Sequence, residues 1–99
     1  MNLKMFYERN SNYVLRKIHD TFFLIDITDN YNDEKCHLIE TNEIGKFIWD
    51  SLGENNTIEQ LTEALKNAIT DEVPYILIYQ DVTEYINILV EKGIVIRGC

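Results

Sequence analysis

The chain has 99 residues, 45% hydrophobic and 26% charged, with 17 acidic against 9 basic residues and a net charge of −8. This composition supports a packed core and excludes a disordered chain. It opposes binding to nucleic-acid phosphates or to an anionic membrane surface, since both need clustered Lys and Arg.

One domain over residues 1–99 is expected. So short a chain buries only roughly 60–70% of the surface its unfolded form exposes, which favours a groove or a sheet edge over a deep enclosed site. No basic segment leads into an apolar stretch at the start. No apolar run approaches the roughly 20 residues that span a bilayer. The expected compartment is the cytoplasm, where Cys36 and Cys99 read as two reduced thiols.

In chain order, residues 1–12 are mixed: Phe6 and Tyr7 can pack down, while Asn10-Ser11-Asn12 reads as a loop. Tyr13–Ile18 has strand composition, and Thr21–Ile27, TFFLIDI, is the strongest strand signal in the chain. The two-residue break His19-Asp20 between them predicts a tight hairpin. Residues 28–34, TDNYNDE, carry turn chemistry. Lys35–Glu40, KCHLIE, is a short third strand, and a meander is the simplest topology.

From residue 42 the apolar period changes from about 2 to about 3.6. The first helix is expected over 42–52, capped by Thr41 or Asn42, with Ile44, Phe47, Ile48 and Leu52 on one face and Gly53 as its left-handed end. Thr57-Ile58-Glu59-Gln60 is a capping-box pattern that opens a second helix to about Thr70. Tyr75-Ile76-Leu77-Ile78-Tyr79 looks like a buried strand. Yet Pro74 suits a first helical position, and the 3, 4, 3 spacing of Tyr75, Ile78, Tyr79, Val82, Tyr85, Ile86 and Leu89 predicts one helix over 74–92, ending at Gly93. Ile94-Val95-Ile96 is a short tail, packed on the body or paired as a marginal strand. Three strands followed by three helices give an α+β domain, winged-helix-like with the sheet placed first.

The chain offers little catalytic chemistry. His19, His37, Cys36 and Cys99 lack the spacing of a structural zinc site, and adjacent Cys36 and His37 point to opposite faces of a strand. Cys36 sits in acidic surroundings that do not favour a thiolate. Most of the carboxylates fall on predicted polar helix faces, and Gly45, Gly53, Gly93 and Gly98 form no phosphate loop. No enzyme activity, metal or cofactor is expected. Trp49 reads as a core residue. The tyrosines at 75, 79 and 85 suit either a core boundary or a groove wall. Lys35–Glu40 is a sheet edge with few guarding residues, and such an edge can accept a peptide as an added strand.

Asn42-Glu43, Gly45 and Phe47-Ile48-Trp49, followed by Thr57-Ile58-Glu59-Gln60-Leu61 and then by Asp81-Val82, Tyr85-Ile86, Leu89 and Lys92-Gly93-Ile94, resemble the PqqD-like family. These are small peptide-binding domains, also called RiPP recognition elements, of pathways that make modified peptides, and the resemblance implies a domain core over about 13–96. Two positions depart from the family pattern: Thr41 stands where a Leu is common, and Leu38-Ile39 where an aromatic pair is common.

The resemblance implies that the leader segment of a precursor peptide docks as an extra strand on Lys35, Cys36, His37, Leu38, Ile39 and Glu40. The facing wall is then the side of the last helix that carries Tyr79, Val82, Thr83, Ile86 and Val90. It also implies an enzyme partner, such as a radical-SAM protein, a leader peptidase or a cyclase, to which the peptide is presented. Two other classes fit the element order: a winged-helix DNA-binding regulator and a small non-catalytic subunit of an enzyme complex. The charge, and a second helix whose only basic residue is Lys66, oppose the regulator.

Overall fold

A computed structural model describes residues 5–27, 38–54 and 56–98. The elements run β1 (Phe6–Arg9), β2 (Tyr13–Ile18), β3 (Thr21–Asp26), β4 (Leu38–Thr41), α1 (Glu43–Ser51), α2 (Ile58–Ala68), α3 (Tyr75–Glu91) and β5 (Val95–Gly98). The strands β2, β3 and β4 form an antiparallel sheet in that order, and with the three helices they make the expected α+β fold.

The hairpin between β2 and β3 turns through His19 and Asp20, with Ile18 paired to Thr21. His19 takes φ 57°, the left-handed backbone that a two-residue hairpin loop demands and that His adopts more readily than β-branched residues. Alternation then sorts the sheet into two faces. Tyr13, Leu15, Phe22, Leu24, Ile39 and Thr41 share the inner face, where Leu24 is fully buried. Val14, Ile18, Phe23, Ile25, Leu38 and Glu40 share the outer one.

α1 and α2 begin where side chains satisfy orphan N–H groups, while α3 has no side-chain cap. The Asn42 side chain accepts from the Gly45 N–H at 2.8 Å. Thr57 Oγ1 accepts from the Gln60 N–H at 3.1 Å while Gln60 Oε1 accepts from the Thr57 N–H at 3.2 Å, the reciprocal box read from the sequence. Tyr75–Tyr79 is helical, with Pro74 just before the first turn. The inner faces of Ile48, Trp49, Leu52, Leu61, Leu65, Ile78, Val82, Ile86 and Leu89 close on Leu24 to form the core. Ile44, expected on the buried face of α1, is 45% exposed; Trp49, one residue on from Ile48, takes the core place instead.

The 94–96 tail takes its paired alternative, as part of β5. Residues 6–9, expected only as part of a mixed segment in which Phe6 and Tyr7 pack down, are regular. They form β1, which pairs antiparallel with β5 as a separate two-stranded ribbon, Tyr7 opposite Arg97 and Arg9 opposite Val95. Four residues alternating around buried Tyr7 are too short to read as a strand without their partner from the far end of the chain.

The turn that launches β5 is dictated locally. At the end of α3 the Gly93 N–H donates to the Val90 carbonyl at 3.0 Å and the Ile94 N–H to the Leu89 carbonyl at 2.9 Å, with Gly93 at φ 76°. This is a Schellman end, in which Ile94 packs back toward Leu89, both fully buried. Asn10 holds the same turn from the other side, its backbone N–H on the Ile94 carbonyl and its side-chain amide on the Gly93 carbonyl. The Arg9 guanidinium lies over Trp49, 5.8 Å from the ring centre.

Besides the core packing, a side-chain hydrogen bond ties β4 to α3. Thr41 Oγ1, at the end of β4, and the Tyr85 hydroxyl lie 2.6 Å apart in a hydrogen bond. Gly45 sits beneath it. A Cβ there would collide with Thr41 Oγ1 and come within 2.6 Å of the Tyr85 hydroxyl. Burial pushes the Tyr85 phenol above its ordinary value, with the Thr41 hydrogen bond acting in the opposite sense.

Two predictions follow the physics of this contact. In an open helix, Gly→Ala stabilises by roughly 0.5–1 kcal/mol. Gly45→Ala should instead destabilise by about 1–3 kcal/mol, because the new methyl displaces the Thr41–Tyr85 pair; a denaturant midpoint at or above wild type contradicts this. The raised Tyr85 value means that its contribution to stability is complete below the ordinary tyrosine pKa and disappears as pH rises through the folded one. The alkaline loss of stability should therefore be smaller in Tyr85→Phe than in wild type, as read from melting temperatures across that range; equal slopes exclude the assignment.

Candidate functional site

Of the docking strand expected from the sequence, Lys35, Cys36 and His37 lie outside the described residues. Leu38, Ile39 and Glu40 belong to β4, which extends one residue further to Thr41. In the sheet order, β4 stands at the edge, paired to β3 alone among the described strands. Its side chains divide by alternation. Ile39 and Thr41 point to the helical layer, in line with Leu24 and Phe22, while Leu38, 42% exposed, and Glu40 point away from it. A strand added to this edge would send alternate side chains into the space between β4 and α3.

The α3 residues separate into distinct roles. Val82 and Ile86 are fully buried and belong to the core. In this structure they lie beneath the surface and line no open wall. Tyr79, Thr83 and Val90 are half-buried.

Helix geometry places these last three on one flank. At about 100° per residue, Tyr85 lies about 60° to one side of the core direction set by Val82, and Tyr79 lies about 60° to the other. The Tyr85 flank faces β4, as the hydrogen bond to Thr41 shows. The Tyr79 flank faces α2. Tyr79 stacks on Tyr75 with ring centres 6.2 Å apart. The Tyr75 phenol is raised by desolvation first and then by Glu63 and Glu59 of α2. The half-buried wall residues named from the sequence thus sit on the α2 side of the helix. The side toward β4 presents Tyr85, Asp81 and Ile88.

A surface pocket of about 420 Å³ runs over the open side of α3. Its described lining is Tyr79, Gln80, Thr83, Glu84, Asn87, Ile88 and Glu91. Ile88 is 41% exposed, an apolar spot between two carboxylates. Thr83 spends its hydroxyl on the Tyr79 carbonyl at 2.7 Å, so it offers its methyl and its acceptor lone pairs outward. Sequence periodicity had no means of selecting Ile88 or Glu84, which fall on the polar stripe. Tyr85 and Gly45 were legible as members of the family pattern, but their pairing with Thr41 was not.

Among the described residues no three His, Cys, Asp or Glu side chains come together in a way that could hold a metal ion. Among them, too, no helix is long and apolar enough to cross a membrane.

Comparison with known proteins agrees with this architecture. A solved structure described as TbiB1 in complex with the TbiA(beta) leader peptide superimposes with a TM-score of 0.68 over 90% of this chain and 94% of that one, at 17% sequence identity. At that identity the likeness is one of fold. No curated protein matches the chain by sequence. The family model for coenzyme PQQ synthesis protein D matches residues 31–95, a span that takes in β4 and all three helices and ends on the first residue of β5. By that match over most of its length, the chain belongs to the PqqD family.

Proposed function

We propose that the chain is a peptide-recognition domain. It binds the leader segment of a ribosomally made precursor peptide by strand addition to β4, performs no chemistry of its own, and presents the peptide to a modifying enzyme in the cytoplasm. The observation that carries this reading is the edge position of β4 beside the open flank of α3, with the two tied together at Thr41 and Tyr85. The fold likeness to a protein solved with a leader peptide supports it.

The physics of the edge is sufficient for specific binding. Each backbone hydrogen bond made along β4 contributes roughly 1 kcal/mol net. Each apolar side chain inserted between β4 and α3 contributes about 1.5–3 kcal/mol before ordering costs. Two or three such side chains, less several kcal/mol for ordering a flexible segment, give nanomolar to micromolar affinity. We assign the strand platform to Leu38–Thr41, with Lys35, Cys36 and His37 of the expected strand outside the described residues. On the helix we assign the wall to Ile88 and Tyr85, the side chains on the β4 flank, with Thr83 and Tyr79 reached only by a side chain that crosses the helix. Val82 and Ile86 support this wall from beneath.

The reading is tested by titrating the protein with the leader peptide encoded beside its gene. Backbone amides of Leu38–Thr41 should become protected from hydrogen exchange, and Ile88→Glu should weaken binding by about 1.5–3 kcal/mol while helicity is retained. Tight binding that leaves these amides unprotected, or a folded Ile88→Glu variant with wild-type affinity, contradicts the strand or the wall respectively.

A further inference from the structure

We propose that the peptide taken up at this site carries basic side chains, Lys or Arg, that lie across α3 at Ile88 and end at Glu84 and Glu91; this rests on the strand-addition reading above. The pocket over α3 is a mixed surface. Ile88 gives an exposed apolar patch, and Glu84 and Glu91, four residues before it and three after, bracket it on neighbouring turns. The two carboxylates stand about 10 Å apart along the helix axis.

Among the described residues, no cation is paired with either carboxylate. From Tyr75 to Glu91 the helix carries Asp81, Glu84 and Glu91 and no Lys or Arg. Among the described residues the ion pair found is Lys46 with Asp50 at 2.8 Å, on α1. Aliphatic floor and anionic rim are complementary to a long cationic side chain, whose stem covers apolar surface while its head stays at the edge. An acidic ligand would meet repulsion at the same place and from the net charge of −8 as it approached. Side chains projecting from a strand on β4 toward the helical layer meet Ile88 first, and Glu84 lies beyond it on the outer face of the helix.

The test uses a displayed library of random twelve-residue peptides, selected on the folded full chain. Selected peptides should be enriched in Lys and Arg, and binding of the best should weaken about 5–10-fold between 50 and 500 mM salt. Glu84→Gln/Glu91→Gln should weaken it at least 5-fold. Glu54→Gln/Glu72→Gln, which removes the same charge from exposed positions elsewhere, should change it less than 2-fold.

Neutral or acidic selected peptides, or equal effects of the two double variants, overturn the proposal. If such peptides still protect the amides of Leu38–Thr41, strand addition stands and the charge inference alone fails. If basic peptides bind without protecting those amides, strand addition fails. A library that yields no binder counts against both.

Discussion

The hydrogen bond between Thr41 and Tyr85, packed over Gly45, is the constraint on which the site depends. A four-residue edge strand has few contacts of its own and would fray without a tether. Here its last residue is fixed twice: by pairing to Phe22 and by the side-chain bond to α3. The next residue, Asn42, caps α1 and so sets the direction in which the chain leaves the sheet. Gly45 lets the three elements approach this closely because any side chain would occupy the place of the bond. Sheet edge and helix flank are thereby held at a fixed separation, which is what a strand-adding ligand needs from its receptor.

The ribbon of β1 and β5 works on the other end of α3. The Schellman turn at Gly93 and the two bonds from Asn10 fix where the helix stops and where β5 starts. Arg9 over Trp49 and the Tyr7 N–H on the Asn56 carbonyl extend that clamp to α1 and to the link before α2. The last helix is therefore anchored at its C-terminal end by the ribbon and along its length by the core, leaving its outer side to solvent and ligand.

Local signals carried most of the fold into the sequence. The hairpin at His19-Asp20, the capping box at Thr57, the helix through Tyr75–Tyr79 and the turn at Gly93 each rest on residues within one or two turns of each other, so they could be read without tertiary information. β1 could not, because its partner lies at the opposite end of the chain. The site was half legible. β4 follows from its composition and from the turn-favouring residues that precede it in the sequence. The wall does not, because periodicity finds the buried stripe of α3, where Val82 and Ile86 belong to the core, and cannot say which flank faces β4. Thr41, which departs from the family pattern, is explained only by its distant partner Tyr85.

The most direct test of the central claim is the set of cross-strand nuclear Overhauser contacts in the protein–leader complex. The account predicts backbone contacts between the peptide and Leu38–Thr41, together with side-chain contacts from the peptide to Ile88 and Tyr85. A peptide whose backbone contacts run instead along β2 or along the β1–β5 ribbon would contradict it.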